Sequence, residues 1–288
     1  MTASDVPFIK MNGLGNDFVI IDARKTPVAL TGAQVARIAD RTRGVGCDQL
    51  IVLEPAQGMD AADIFMRIYN QEGGEVDACG NATRCVASLL MEETGKDHAV
   101  IITNAGMLVG RHGARQGTVT VDMGRPKFGW QDIPLSEAFH DTRGIELQLG
   151  PIDAPLLHTP SVVNVGNPHA IFWVADLNIV DLEKAGPLLE NHPMFPERAN
   201  ISLARVDGAD AMTLKVWERG VGQTLACGTA ACAAAVAGAR KRLTGRSATV
   251  TLPGGPLHIE WREGDDHILM TGPFTHDHDG VIPGAWLN

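Results

Sequence analysis

The stretch Arg67-Ile-Tyr-Asn-Gln-Glu-Gly-Gly-Glu-Val-Asp-Ala-Cys79-Gly80-Asn81-Ala82 occurs twice in this chain in recognisable form. The second copy is Lys215-Val-Trp-Glu-Arg-Gly-Val-Gly-Gln-Thr-Leu-Ala-Cys227-Gly228-Thr229-Ala230. Both copies begin with a basic, a β-branched and an aromatic residue, and both end in Ala-Cys-Gly-x-Ala. The two cysteines are 148 residues apart. The chain therefore contains an internal repeat that is centred on a cysteine.

The repeat extends upstream of these two stretches. Gly15-Asn16-Asp-Phe-Val-Ile matches Gly166-Asn167-Pro-His-Ala-Ile, and Gln49-Leu-Ile-Val-Leu matches Asn200-Ile-Ser-Leu-Ala. Three blocks in the same order, at nearly constant offset, predict two homologous halves related by a pseudo-twofold axis. Gly124-Arg-Pro126 breaks the chain between them. We place an N-terminal half at residues 1–124, completed by residues 273–288, and a C-terminal half at residues 125–272.

Each half combines short apolar strand candidates with one helix that begins after the cysteine. Apolar residues follow Cys79 at spacings of three and four, which is the helical period. The helix after Cys227 is almost entirely alanine, and Gly245 is its predicted C-cap. Because this helix carries small side chains on every face, we expect a curved sheet to enclose it. The predicted fold is α+β, with two barrel-like sheets, each wrapped around a central helix, and the active site in the cleft between the halves.

Composition excludes several classes of function. The formal charge of −10 argues against a nucleic-acid partner, since phosphate binding depends on Lys and Arg. No run of 18 apolar residues predicts a membrane span. The start of the chain lacks the basic and apolar regions of a signal peptide, and five cysteines are an odd number. We therefore expect reduced thiols and a cytoplasmic location.

A cysteine at a helix N-terminus suggests acid/base chemistry. The helix dipole and backbone N–H groups lower a thiol pKa from about 8.5 toward neutrality, and the same N–H groups bind carboxylates. If two such ends converge, one thiolate can remove an α-proton while the other thiol protonates the opposite face. The result is inversion of one stereocentre. This chemistry calls for neither pyridoxal phosphate nor a metal.

Several blocks along the chain make a resemblance specific. They are Lys10-Met-Asn-Gly-Leu-Gly-Asn-Asp-Phe18, Cys79-Gly-Asn-Ala-Thr-Arg-Cys85, Gly166-Asn-Pro-His169, Pro196-Glu-Arg-Ala-Asn200, Trp217-Glu-Arg-Gly220 and Ala226-Cys-Gly-Thr-Ala-Ala-Cys232. Together they resemble the signature blocks of the diaminopimelate epimerase family. One block departs from the family pattern Cys-Gly-Asn-Gly-Ala-Arg-Cys, because Ala82 and Thr83 replace its second glycine and its alanine. A methyl group at Ala82 should be tolerated inside a helix.

The resemblance implies a cofactor-independent interconversion of LL- and meso-diaminopimelate, a small-molecule substrate, and a homodimer. It implies that Cys79 and Cys227 are the acid/base pair, with His169 and Glu218 as auxiliary catalytic residues. It implies a substrate-binding set consisting of Asn16, Gln49, Asn70, Gly80, Asn81, Asn167, Asn200, Glu218, Arg219, Gly228 and Thr229.

The binding residues also suit such a substrate chemically. Arg219 can clamp a distal carboxylate with its planar fork, and side-chain amides can pair with both ammonium and carboxylate groups. An asparagine beside a glycine can instead be a turn residue, and His169 after Pro168 can be a satisfied turn histidine.

Two other functions remain open at this point. A proline or hydroxyproline racemase would use the same pair of cysteines, but its compact substrate has no distal charges for Arg219. A thiol redox protein would use Cys79 and Cys227 as a disulfide switch. Zinc ligation is disfavoured because the separations of Cys79 from Cys85 and of Cys227 from Cys232 do not match close ligand pairs. We expect Cys85 and Cys232 to be core residues.

Overall fold

A computed structural model describes residues 4–56, 58, 61–77 and 79–287. Ala78, the repeat residue before Cys79, lies outside this part of the chain. The chain divides into two compact units. The first consists of Met1–Val121 with Gly272–Asn288, and the second of Asp122–Thr271.

The elements of the first half alternate between short strands and two helices. In chain order they are β1 (Val6–Gly13), β2 (Asn16–Asp22), α1 (Gly32–Ala39), β3 (Gln49–Glu54), β4 (Ile64–Asn70), β5 (Glu75–Val76), α2 (Gly80–Thr94), β6 (His98–Thr103), β7 (Gly106–His112) and β8 (Thr118–Asp122). Thr31 is the N-cap of α1, and Gln34 completes a capping box with it.

The remaining elements follow the same scheme. They are β9 (Gln148–Leu149), β10 (Leu157–His158), β11 (Ser161–Asn164), β12 (Pro168–Trp173), α3 (Leu182–Glu190), β13 (Asn200–Gly208), β14 (Ala211–Glu218), β15 (Gly222–Thr224), α4 (Gly228–Arg240), β16 (Ser247–Leu252), β17 (Gly255–Trp261), β18 (Ile268–Pro273), β19 (Thr275–Ile282) and a 3₁₀ turn at Gly284–Trp286. Strand β19 pairs antiparallel with β1, so the end of the chain forms part of the first unit.

Strand pairing repeats between the two units. In the first unit, β2 is parallel to β3, β3 is antiparallel to β4, and β4 is parallel to β6. In the second unit, β12 is parallel to β13, β13 is antiparallel to β14, and β14 is parallel to β16. In both units the cysteine and its helix follow the short strand that pairs with the last residues of β4 or β14. The sequence repeat is therefore also a repeat of topology.

The helix that follows each cysteine is the centre of its unit. Residues from Asn81 to Ser88 of α2 are buried, as are almost all residues of α4 from Gly228 to Gly238. Strands β11, β12, β13, β16 and β17 all pack against α4. The alanines and glycines of α4 let the surrounding strands approach the helix closely. The predicted α+β fold with central helices is confirmed.

The two central helices end differently. Gly95 terminates α2 in the left-handed conformation, with φ of 67°. The prediction that Gly245 caps α4 is wrong, because α4 ends at Arg240. Arg242 adopts the left-handed conformation with φ of 59°, and the Leu243 N–H donates to the Gly238 carbonyl. This Schellman motif closes the helix with an arginine in the position that glycine usually occupies. In the part of the chain that the structure describes, no helix is long and apolar enough to cross a membrane.

Candidate active site

In the first unit, polar side chains gather at one end of the sheet. Asn16 begins β2, Gln49 begins β3 and Asn70 ends β4. Because β2 and β3 are parallel while β4 runs the opposite way, these three positions lie at the same end of the sheet. Gln49 and Asn70 are direct cross-strand partners.

In the second unit, polar side chains gather at the matching end of the sheet. Asn167 immediately precedes β12, Asn200 begins β13 and Glu218 ends β14. His169, the second residue of β12, pairs with Asn200 across the parallel ladder. The first unit therefore places three sequence-predicted residues at one end of its sheet and the second unit places four, in each case next to the segment that carries its cysteine.

Both cysteines are the N-cap residues of their helices, in nearly the same backbone conformation. Cys79 precedes α2 with φ of −146° and ψ of 108°, and Cys227 precedes α4 with φ of −134° and ψ of 108°. The Cys79 carbonyl accepts the Thr83 N–H at 2.9 Å, and the Cys227 carbonyl accepts the Ala231 N–H at 3.1 Å. Gly80 and Asn81 therefore begin α2, and Gly228 and Thr229 begin α4, where backbone N–H groups point out of the helix end.

Cys79 has polar groups as neighbours. Its side chain is partly exposed. The thiol sulfur accepts the Ala82 N–H at 3.5 Å, and it lies 3.9 Å from Asn16 Oδ1. The structure thus brings two predicted site residues of the first unit, Asn16 and Cys79, into contact.

Cys227 has a different environment. It is 4% exposed, and its sulfur lies 3.5 Å from Thr229 Oγ1. Burial, and then the negative charge of Glu218, raise the pKa of the Cys227 thiol well above its usual value. The prediction that a helix N-terminus lowers this pKa is wrong for Cys227, because desolvation and a neighbouring carboxylate outweigh the dipole. Cys227 therefore rests as the protonated thiol.

Glu218 links the end of β14 to the second cysteine. Burial raises the pKa of its carboxyl group, whereas hydrogen bonds from Thr224 and Cys227 lower it. Thr224 Oγ1 donates to Glu218 Oε1 at 2.5 Å. The carboxylate is thus held beside Cys227, where it favours the neutral thiol.

His169 is fully buried and neutral. Burial, followed by the charge of Arg219, lowers its pKa to about 3. Its Nε2 lies 2.8 Å from Asn167 Oδ1, which can only accept, so the ring proton is on Nε2. The His169 ring is thus a partner of Asn167 and orients that side-chain amide.

The amides of Asn16 and Asn167 face their surroundings in opposite orientations. Asn16 Nδ2 donates to Asp48 Oδ2 at 2.9 Å, and a carboxylate can only accept, so the Asn16 oxygen is presented outward. Asn167 uses its oxygen for His169, so its NH₂ group is presented instead. One unit therefore offers an acceptor and the other offers a donor at the same position of the repeat.

Asn70 and Asn200 are held by backbone groups, as turn residues are. Asn70 Oδ1 accepts from the backbone N–H groups of Glu72 and Gly74 at 3.0 and 2.8 Å, which leaves its NH₂ group to a ligand. Asn200 Nδ2 donates to the Pro168 carbonyl at 2.9 Å, and its Oδ1 accepts the Arg219 N–H at 2.9 Å. Asn200 therefore anchors the backbone that carries Arg219.

The guanidinium of Arg219 is tied on one side. Its Nη1 donates to the Glu197 carbonyl at 3.0 Å, which fixes the direction of the fork while other N–H groups remain for a ligand. Among the residues that the structure describes, Gln49 Oε1, Asn81 Oδ1 and His169 Nδ1 are buried atoms that have no hydrogen-bond partner. Buried polar atoms are normally paired, so unpaired ones at a cysteine-bearing edge are typical of a ligand site.

Comparison with known proteins agrees with this geometry. The family model of diaminopimelate epimerase matches residues 8–129 and 161–276. The chain belongs to the diaminopimelate epimerase family. It is thereby placed among the isomerases that act on amino acids.

Curated relatives support this placement, and solved structures share the fold. The chain is 55% identical to the diaminopimelate epimerase of Nitrobacter hamburgensis over 99% of this chain and 97% of that protein. It is 56% identical to the diaminopimelate epimerase of Afipia carboxidovorans over 96% of this chain and 94% of that protein. A hydroxyproline epimerase from Agrobacterium vitis shares its fold, with a TM-score of 0.67, 15% identity, and coverage of 96% and 92% of the two chains. A phenazine biosynthesis protein from Bacillus anthracis has a TM-score of 0.64, 17% identity, and coverage of 97% and 99%.

Some neighbours of the site escaped the sequence analysis of this epimerase-family chain. Asp48 orients Asn16, Thr224 holds Glu218, and Glu190 contacts the segment around Glu218 and Arg219. Asp48 and Thr224 lie close in sequence to predicted residues, so proximity was an available signal. Glu190 lies 28 residues before Glu218, and no feature of the sequence marks its burial.

Proposed function

We propose that this chain interconverts LL- and meso-2,6-diaminopimelate without a cofactor, with Cys79 and Cys227 as the acid/base pair. The observation that carries the proposal is the matched pair of cysteine N-caps, each at the start of a central helix. One thiolate removes the α-proton and the other thiol protonates the opposite face of the same carbon. The carbanion that develops between these steps is stabilised by the N–H groups of the helix ends.

The orientation of the side-chain amides supports an amino-acid substrate. Asn16 presents an oxygen and Gln49 has an unpaired buried oxygen, and both can accept from an ammonium group. Asn70 and Asn167 present NH₂ groups, which suit a carboxylate. Arg219 adds a cation for the carboxylate of the distal end. The proposed catalytic roles of His169 and Glu218 follow their contacts, since His169 orients Asn167 and Glu218 lies beside Cys227.

The resting state of Cys227 assigns the first proton transfer. Because its thiol pKa is raised, Cys227 starts as the acid, and Cys79 acts as the base on the epimer whose α-proton faces it. Turnover of the other epimer requires the opposite protonation state. Reduced cysteines are needed in both directions, which fits an enzyme of the cytoplasm, and we propose that it works as a homodimer.

Solvent exchange tests the proposal. Incubation of the enzyme with LL-diaminopimelate in deuterated water should give meso product that carries deuterium at the inverted α-carbon, as read by mass spectrometry and NMR. L-proline and trans-4-hydroxy-L-proline serve as comparison substrates. Deuterium in the cyclic amino acids, with none in diaminopimelate, would identify a racemase of the other type. Thiol–disulfide exchange without deuterium incorporation into any substrate would identify a redox protein.

Arg219→Lys further distinguishes a diaminopimelate epimerase from a proline or hydroxyproline racemase. An ammonium group cannot reproduce the bidentate fork, so the KM for diaminopimelate should rise by about tenfold or more. A compact substrate without a distal carboxylate would be insensitive to this change. An unchanged KM for diaminopimelate would contradict the proposed clamp.

A further inference from the structure

Glu190, the last residue of α3, is a buried carboxylate with 5% of its surface exposed. Its Oε2 accepts the indole N–H of Trp217 at 2.7 Å, and its Oε1 accepts the Gly220 backbone N–H at 2.9 Å. Arg198 Nη1 lies 3.3 Å from the same Oε1. The carboxylate thus has two N–H donors and one cation as partners.

The two N–H donors flank the pair Glu218 and Arg219. Trp217 precedes this pair and Gly220 follows it, in the turn that joins β14 to β15. Gly220 has a φ of 74°, and the Val221 N–H donates to the Glu218 carbonyl at 3.0 Å. One carboxylate therefore links both sides of the turn that carries two proposed site residues.

Close packing against α3 also holds the Trp217 indole. A Cβ atom added at Gly186 of α3 would lie 2.3 Å from Trp217 Cδ2, which is far inside van der Waals contact. The absence of a side chain at Gly186 therefore lets α3 lie flush against the indole. Gly186 and Glu190 are one turn apart on the same face of α3, so close packing at one and hydrogen bonding at the other both hold Trp217.

The first unit shows why an outside group is needed. There the turn after β4 is held by its own first residue, because Asn70 Oδ1 accepts the N–H groups of Glu72 and Gly74. Glu218 occupies the matching position in the second unit, but its carboxylate is directed to Thr224 and Cys227. Because the Glu218 side chain faces the cysteine, other groups hold its turn. Asn200 Oδ1 accepts the Arg219 N–H, and Glu190 accepts the N–H groups on both flanks.

We propose that Glu190 is a positioning residue that sets the placement of Glu218 and Arg219 by holding both flanks of their turn. The proposal rests on the proposed function, in which Glu218 acts beside Cys227 and Arg219 binds the distal carboxylate. Movement at the Trp217 flank changes the approach of Glu218 to the thiol, which alters kcat. Movement at the Gly220 flank displaces the Arg219 fork, which alters KM.

Glu190→Gln tests this role with little change in volume. A glutamine has one acceptor oxygen, so its NH₂ group must face either the indole N–H or the Gly220 N–H, and one hydrogen bond is lost. We expect kcat/KM for diaminopimelate to fall by about tenfold to a hundredfold, with a lower kcat and a higher KM. Glu183→Gln, an exposed acid on the same helix, is the matched control and should leave both constants unchanged.

A double-mutant cycle adds a readout that a purely structural role would not move. Trp217→Phe keeps an aromatic ring near Gly186 but removes the indole N–H together with the second ring. In the variant with both changes, the losses in kcat/KM should combine to less than their product, because each single change already breaks the link that Glu190 makes between the two flanks of the turn. Trp217→Phe alone should still lower kcat/KM if Glu190→Gln does not fold. A fully multiplicative combination would overturn the proposal.

Amide hydrogen exchange makes this test independent of the reaction. Residues 219–222 should exchange faster in Glu190→Gln, whereas the first turns of α3 should stay as protected as in the unchanged protein. If the unchanged protein does not epimerise diaminopimelate, the proposed function fails, and exchange in the turn still judges Glu190. Exchange equal to that of the unchanged protein, or a folded Glu190→Gln with kcat and KM within about twofold, would overturn the positioning role.

Discussion

The two cysteine caps have the same backbone but opposite chemical surroundings. Cys79 is partly exposed, accepts a backbone N–H and lies near the neutral amide of Asn16. Cys227 is buried beside the Glu218 carboxylate, so its thiol pKa is raised. A repeated fold thus supplies two equivalent positions that differ in burial and in neighbouring charge. The position that is Glu218 in the second unit is Asn70, a neutral residue, in the first.

The largest expected effect comes from removing either thiol. Cys79→Ala and Cys227→Ala should each lower the epimerisation rate by roughly a thousandfold, because each reaction direction needs one base and one acid. Residual solvent deuterium exchange into the substrate should be lower in Cys79→Ala, since the remaining Cys227 rests as a thiol and is a poor base. Mass spectrometry of the recovered substrate measures both rates.

Cys85→Ala and Cys232→Ala are the matched controls, because both thiols are fully buried one to two turns into the same helices. These variants should retain turnover. Residual exchange that is higher in Cys79→Ala than in Cys227→Ala would contradict the difference drawn between the two caps.

Glu218→Gln should make the surroundings of Cys227 more like those of Cys79. Glutamine keeps an acceptor for Thr224 but loses the charge that raises the Cys227 pKa, so this pKa should fall. Cys227 is active as an acid only when protonated, and activity is lost as the pH rises through its pKa. The alkaline limb of the pH–rate profile should therefore move down by about one pH unit, while Glu260→Gln, an exposed acid on β17, should leave it in place. A shift to higher pH would show that the carboxylate does not act on Cys227.

His169→Phe makes the second unit resemble the first, where Phe18 occupies the matching position. Burial lowers the His169 pKa to about 3, so below about pH 6.5 the unfolded chain binds a proton that the folded chain does not. This histidine therefore lowers the free energy of unfolding as the pH falls. Between pH 6.5 and 4.5, the variant should lose about 2 kcal/mol less stability than the unchanged protein in urea titrations.

The exposed histidine His158 gives the control, since His158→Phe should leave the acid dependence of stability unchanged. His169→Phe should also raise the KM for diaminopimelate, because the Asn167 amide loses the ring that orients it. Equal acid destabilisation in the unchanged and His169→Phe proteins would show that His169 is not held neutral.

The smallest expected effect concerns Asp48, which orients Asn16 and has Ala199 as its counterpart in the second unit. Asp48→Asn can present an NH₂ group to Asn16, so the Asn16 amide no longer has one fixed orientation. The KM for diaminopimelate should rise by several-fold up to about tenfold, in line with one perturbed hydrogen bond. Asp22→Asn, at the other end of β2, is the control. A KM equal to that of the unchanged protein would remove Asp48 from the site.

Much of the fold was determined by the sequence, because local patterns carried it. The apolar period after Cys79 predicted α2, and the run of alanines after Cys227 predicted an enclosed α4. The repeated blocks indicated which strand ends would carry Asn16, Gln49, Asn167 and Asn200. The end of α4 was mispredicted because a Schellman motif can close on a non-glycine residue when the flanking backbone permits it.

The sequence by itself determined that the cysteines begin helices and that the amides lie at strand ends. Helix starts and strand ends depend on residues that are close together in the chain. Only the tertiary structure decided the protonation state and the orientation of each group. Burial and the charge of Glu218 make Cys227 a thiol, Asp48 and His169 turn the Asn16 and Asn167 amides in opposite directions, and Glu190 reaches its turn from another helix. Desolvation and hydrogen-bond partnership depend on groups far apart in the chain, and a pattern of neighbouring residues does not encode them.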